Sequence, residues 1–165
     1  MRFFFYGTLM DHDVIEIVLG RALDAGCLKP ARLEGYCTRI AIDEAVPVLR
    51  VAPGASVSGV VIEKLTAADA ESIRFFEESE YDSEPCEVVV DGVGIVVAEV
   101  HLNSQLRVDE NQSWDFERWQ AEEKSLFLIL ARQWMQHVGT TDLRAADEEW
   151  DRTRARYLAD LNEMG

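Results

Sequence analysis

The sequence predicts an α+β fold, with strands and short helices filling the chain up to His101 and an all-helical extension after it. Runs rich in aromatic and β-branched residues, bounded by glycine and proline, recur from Arg2 to Val100 and have the character of strands. Two segments among them, and two after them, space apolar residues three and four apart, which places those residues on one face of a helix. With 165 residues, 48% of them hydrophobic, the chain is expected to form one domain with a packed core.

Arg2 to Tyr6 is bulky and aromatic, suited to a buried first strand that Gly7 ends. From Asp11 or Asp13 to Leu19, the residues Val14, Ile15, Val18 and Leu19 keep helical spacing, with an acidic start and Gly20 as caps. Strands are expected at Ala31–Ile42, Pro47–Val51 and Val57–Lys64, separated at Pro47 and at a Pro53-Gly54 turn. A second helix opens at Thr66, where Asp69 three residues on completes a capping box, and Ala70, Ile73 and Phe76 share its apolar face. Glu87–Val90 and Ile95–Val100 read as a hairpin across Asp91-Gly92.

Past His101 the pattern changes. Asn103–Gln112 is polar and loop-like. One long amphipathic helix is expected from about Asp115 to His137, with Trp119, Phe127, Leu130, Ala131 and Trp134 inward and Gly139 at its end. A last helix from about Asp142 to Leu161 repeats Leu143, Ala146, Trp150, Tyr157 and Leu161. This divides the chain into a core of 1–102 and a C-terminal helical extension of 103–165 that packs on the core or on a second copy, leaving monomer and homodimer both open.

Charge narrows the function. Thirty-one acidic residues against sixteen basic ones give a formal charge of −15, which excludes nucleic acid and anionic membranes as expected partners. Cys27, Cys37 and Cys86 are odd in number and scattered, so they read as free thiols in a reducing compartment. The apolar start reaches Gly7 too soon for a signal peptide, and the longest apolar run, Leu126–Ala131, is far below a membrane span. A cytoplasmic protein acting on a small molecule is expected.

Two stretches carry candidate chemistry. Tyr6-Gly7-Thr8-Leu9 ends a strand just before a helix, where glycine lets a ligand approach and free N–H groups can cradle an oxyanion. An ordinary strand-ending turn reads the same way. Phe75-Phe76-Glu77-Glu78-Ser79-Glu80-Tyr81 sets three carboxylates beside two phenylalanines, and desolvation there raises a carboxyl pKa toward the range useful for proton transfer. A solvated acidic helix end is the plain alternative. The cysteines with His12, His101 and His137 show no pairing for thiol catalysis and no spacing for a metal. Gly92-Val93-Gly94 lies in a hairpin rather than a nucleotide loop, and Trp114, Trp119, Trp134 and Trp150 read as packing residues.

In order and spacing, these stretches resemble the gamma-glutamylcyclotransferase-like superfamily, which includes the avirulence-induced-gene-related proteins. Members open with a strand and a Tyr-Gly-Thr/Ser-Leu-type motif, matched by Tyr6-Gly7-Thr8-Leu9, and later carry Phe-Glu-Gly or a variant followed by Tyr, matched by Phe76-Glu77 and Tyr81. The Val46-Pro47-Val48-Leu49 strand, the Pro53-Gly54 turn and Ser58-Gly59-Val60-Val61 fit the interval between them. Glu78 stands where members often have Gly, so Glu77, Glu78 and Glu80 need distinguishing. Register forward from Phe76 and backward from Tyr81 favours Glu77. Asp82-Ser83-Glu84 replaces the basic residues that often follow the tyrosine.

The resemblance implies a mixed, barrel-like sheet and an enzyme that cleaves a γ-glutamyl amide by internal attack of the substrate's α-amine, releasing 5-oxoproline and a free amine. It implies Glu77 as general acid/base, Gly7, Thr8 and Leu9 as backbone holders of the glutamyl group, and Tyr6 and Tyr81 as pocket walls with a hydroxyl to spare. No metal and no organic cofactor is expected. The alternative is a non-catalytic binding or regulatory module that keeps the pocket.

Overall fold

The computed structural model describes residues 1–24, 26–42, 46–77, 83–102, 106–140 and 143–164. In chain order the elements are β1 (Phe3–Phe5), α1 (His12–Leu19), β2 (Lys29–Ala41), β3 (Pro47–Ile62), α2 (Ala67–Phe76), β4 (Ser83–Val90), β5 (Gly94–His101), β6 (Val108–Asp109), α3 (Phe116–Glu122), α4 (Lys124–Met135) and α5 (Arg144–Met164). The sheet runs β3-β1-β5-β4-β2, and β2 pairs back onto β3, closing a five-stranded barrel with β6 appended to β2. It is a mixed sheet because β1 lies antiparallel to β3 but parallel to β5.

The period-two alternation of β1 sorts its side chains into two cores. Phe4 and Tyr6 fall inside the barrel with Leu33, Val61, Val88 and Val100. Phe3 and Phe5 face outward into a layer shared with Val14, Ile15, Ile73 and Trp119 of the helices. Being buried on both faces, β1 has no polar side and reads as the unbroken aromatic run seen in the sequence. The neighbouring strand has a glycine here for a steric reason. A Cβ on Gly59 would lie 2.3 Å from the Phe5 carbonyl oxygen and 2.5 Å from the Phe4 ring.

Caps set the helix starts. The Asp11 side chain accepts from the N–H groups of Asp13 and Val14, which makes Asp11 the N-cap of α1, and Gly20 closes that helix at φ +64°. The expected Thr66–Asp69 capping box opens α2, and Arg21 forks onto the same Asp69 carboxylate at 2.9 and 3.2 Å.

Four expectations need correction. The Pro53-Gly54 turn does not end a strand, because β3 runs on through it. Glu34 pairs with Ser56 and Tyr36 with Val51, so two steps along β2 answer five along β3. The extra chain is absorbed as a bulge with Gly35 and Gly54 at positive φ. The polar stretch after residue 102 contains β6, whose Val108 and Asp109 pair with Ala41 and Ile40.

The single long helix expected from Asp115 to His137 is two helices. Glu123, at φ −122° and ψ −23°, leaves the helical region between α3 and α4. Neither glycine nor proline stands at the interruption, and both of its flanks are held by tertiary contacts. Lys124 is drawn to Asp11 and Asp13, while Trp119 is fixed in the core. The last helix begins at Arg144 and continues to Met164 rather than stopping at Leu161, and its expected start at Asp142 lies outside the described residues. Among the described residues no helix is long and apolar enough to cross a membrane.

Candidate active site

Beyond β1 the chain turns through a short 3-10 segment, Thr8–Met10, before α1 begins. Met10 N–H donates to the Gly7 carbonyl and Asp11 N–H to that of Thr8, both at 3.0 Å. Among the described residues the N–H groups of Gly7, Thr8 and Leu9 meet no backbone acceptor, and all three residues line a cavity. Gly7 is needed for space, since a Cβ there would approach Pro47 Cγ to 2.8 Å. Leu9 is 1% exposed with its side chain anchored in the helical core, which leaves its backbone to face the site.

Glu77 is the C-cap of α2. Its N–H donates to the Ile73 carbonyl at 2.9 Å, so helix geometry fixes where the side chain starts. Phe76 meets Phe127 edge-on at 6.1 Å and Phe75 meets Trp134 at 5.8 Å, which locks the aromatic pair that precedes it. Glu77 keeps part of its surface open to the cavity, yet the surrounding protein is dense. Burial alone pushes its carboxyl up to about 7.

One cavity of about 690 Å³ gathers these parts. Tyr6, Gly7, Thr8, Leu9 and Glu77 all line it, although some seventy residues separate the turn from the glutamate. Tyr81, the sixth expected site residue, lies outside the described residues, as do Glu78 and Glu80. One detail differs from expectation: the Tyr6 hydroxyl is not spare. It donates to the His101 carbonyl at 2.7 Å and ties the end of β1 to the end of β5.

The fold also brings to the cavity residues that the sequence alone does not assign to the site. His101 lines the cavity, 5% exposed and stacked on Phe3 at 5.8 Å. Its signal was a polar residue ending a buried strand. Pro47 at the start of β3 forms the wall against Gly7. The helical extension supplies the far side through Phe127, Trp134, Trp150 and Tyr157, with Arg154 among carboxylates of α3 to α5. Glu123 there is raised, first by burial and then by the charge of Glu122.

Apart from His101, the members of the rival constellations fall elsewhere. The cysteines are free, and none of them lines this cavity. The Cys86 thiol is raised, mainly by burial, which opposes thiolate formation. His12 and His137 face Glu16 and Glu149, and among the described residues no group of three His, Cys, Asp or Glu gathers to hold a metal.

Solved structures share this architecture. A protein from Arabidopsis thaliana, known from solution, is 25% identical over 82% of this chain and 81% of its own, with a TM-score of 0.59. A second Arabidopsis thaliana protein is 21% identical, covering 86% and 94%, with a TM-score of 0.58. A protein named gamma-glutamyl cyclotransferase is 12% identical, covering 94% and 86%, with a TM-score of 0.54. The mixed barrel is thus the fold of the gamma-glutamyl cyclotransferase class. No curated protein sequence matches the chain. The family model described as Gamma-glutamyl cyclotransferase, AIG2-like matches residues 3–121, and the chain belongs to that family.

Proposed function

We propose that the protein is a cyclotransferase that cleaves a γ-glutamyl amide into 5-oxoproline and a free amine, in the cytoplasm and without a metal or organic cofactor. The observation that carries the reading is a desolvated carboxyl, Glu77, sharing a cavity with the Gly7–Leu9 turn, whose N–H groups meet no backbone acceptor among the described residues. A carboxyl near 7 is divided between its two forms at neutral pH, so it can take a proton and return it.

The chemistry follows from those groups. The Glu77 carboxylate removes a proton from the substrate's α-ammonium. The freed nitrogen attacks the γ-carbonyl carbon, forming the ring C–N bond and moving the carbonyl electrons onto oxygen. That oxygen, or the glutamyl carboxylate beside it, is held by the N–H groups of the Gly7–Leu9 turn. Glu77 gives its proton to the leaving nitrogen as the carbonyl re-forms and that bond breaks, then relays the ring nitrogen's second proton to the released amine, so the products are a neutral lactam and an ammonium. Nucleophile and electrophile share one molecule, so effective molarity is high before the protein contributes anything. Proton transfer by Glu77 adds about a hundred- to ten-thousand-fold.

The test is to incubate wild type and Glu77→Gln with γ-glutamyl amino acids, γ-glutamyl amines and glutathione, and to measure 5-oxoproline by mass spectrometry. Release by wild type that is lost in the variant supports the assignment. Full activity in Glu77→Gln overturns the role of Glu77. Silence from folded wild type across the panel favours a binding module that keeps the pocket.

A further inference from the structure

We propose that the outer half of the cavity is an aromatic subsite, walled by Trp150 and Tyr157 of α5 and by Phe127 of α4. It selects γ-glutamylamides of arylalkylamines over γ-glutamyl-α-amino acids. This rests on the cyclotransferase reading and extends it to the leaving group.

Size comes first. A cavity of about 690 Å³ lies within the roughly 300–1,000 Å³ that holds drug-sized ligands, well beyond what a glutamyl group fills. The remaining space is lined by rings in an unbroken series that starts next to Glu77. Phe76 meets Phe127 edge-on at 6.1 Å, Phe127 meets Trp150 at 6.2 Å, and Trp150 meets Trp134 at 5.9 Å. A leaving group departing from Glu77 therefore moves along aromatic walls.

The stripe on α5 is open rather than packed away. Trp150, Arg154, Tyr157, Leu158 and Leu161 recur at helical spacing and all line the cavity. Trp150 and Tyr157 are half-buried, while Leu158 and Leu161 are 46% and 47% exposed. A helix that served only as core would bury this stripe. These residues lie beyond 121, where the family match ends.

Charge decides between amines and amino acids. Among the described residues, Glu122, Glu123, Asp147 and Asp151 line the same cavity, against the one guanidinium of Arg154. The α-carboxylate of an amino-acid leaving group would enter a negative wall with one cation to receive it. An arylalkylamine carries no carboxylate, its ring stacks edge-on against the indoles, and its released ammonium is drawn to aromatic faces.

The experiment uses the full chain as wild type, Trp150→Ala and Trp150→Phe, each checked for folding by circular dichroism. It measures kcat/KM for γ-glutamylphenethylamide, γ-glutamylmethylamide and γ-glutamylphenylalanine, and the affinity for phenethylammonium by calorimetry. Wild type is expected to favour the phenethylamide over the phenylalanine conjugate by about tenfold or more. Trp150→Ala should lower the phenethylamide-to-methylamide ratio about tenfold, and Trp150→Phe should restore most of it. An unchanged ratio in folded Trp150→Ala, or a wild-type preference for the phenylalanine conjugate, overturns the subsite.

If Trp150→Ala does not fold, Tyr157→Ala serves in its place. If no γ-glutamyl compound turns over, the cyclotransferase reading fails separately and calorimetry decides. Phenethylammonium binding that Trp150→Ala weakens keeps the subsite, and no binding to folded wild type overturns it.

Discussion

Lys124 Nζ lies 2.8 Å from Asp11 Oδ2 and 2.7 Å from Asp13 Oδ2, and the Gln120 amide donates to the same Asp11 oxygen at 2.7 Å. Asp11 is 2% exposed, caps α1 and directly follows the Gly7–Met10 turn. The helical extension thus grips the residue on which the site's backbone donors depend. Although partial burial opposes the charge of Lys124, its hydrogen bonds to the two aspartates hold its pKa up, and the Lys124 bond lowers that of Asp13. By linkage, the raised Lys124 stabilises below its unfolded pKa and loses this on the alkaline side. The lowered Asp13 stabilises above its unfolded pKa and loses this in acid, so the tie holds through neutral pH.

Lys124→Met should lower stability by about 1.5–3 kcal/mol at pH 7, the range for a hydrogen bond to a charged group, because it strips the buried Asp11 carboxylate of its cation. Urea unfolding reads this directly. A loss below about 0.5 kcal/mol would reduce the contact to an ordinary surface pair.

Glu77 makes the opposite trade. Its carboxyl titrates near 7 when folded against 4.5 for an unperturbed glutamate, so between those values the folded state binds more protons and stability falls as pH rises. Glu77→Gln removes that penalty. The variant should match wild type near pH 4.5 and exceed it by up to about 3 kcal/mol at pH 8. Thermal melts across that range test the sign, and no pH-dependent difference would mean the carboxyl is not desolvated. Wild-type kcat/KM should rise with pH up to about 7 and then level, since the base must be ionised to act.

Much of this arrangement was legible because local rules and tertiary packing agree. The aromatic run of β1, the caps at Asp11 and Thr66, and the glycine ending the first strand each satisfy a local rule that the fold also needs. Tyr6 to Leu9 and Glu77 could be singled out by motif, but their shared cavity exists only once β1 and α2 pack across the same core. The break at Glu123 has no local signal, since neither glycine nor proline marks it and the Lys124 ion pair beside it reaches residues more than a hundred positions away. Trp150 packs edge-on against Phe127 and Trp134 as its helical spacing leads one to expect, but spacing alone does not show that it also lines a cavity.

Gly7→Ala should reduce activity about ten- to hundred-fold and cost about 1–3 kcal/mol, since the new methyl meets the stiff Pro47 ring 2.8 Å away and displaces the donor turn. Pro47→Ala in the same chain removes the obstructing atom. The double variant should recover most of the loss, giving a coupling energy that a double-mutant cycle measures. If the two substitutions simply add, contact with Pro47 is not the reason for glycine.

Two truncations separate the roles of the extension. Ending the chain before Trp114 removes Trp119, which is 2% exposed and packs in the same layer as Phe3, Phe5 and Ile73, and it also strips Asp11 of Lys124 and Gln120. Exposing that layer should give an aggregating protein that binds a hydrophobic dye. Ending it before Arg144 removes only α5, whose packing within the described residues is chiefly on α4. The barrel and the Asp11 tie survive, so this shorter protein should stay folded while losing the outer cavity wall. Size-exclusion chromatography and dye binding distinguish the two, and aggregation of both would make α5 part of the core.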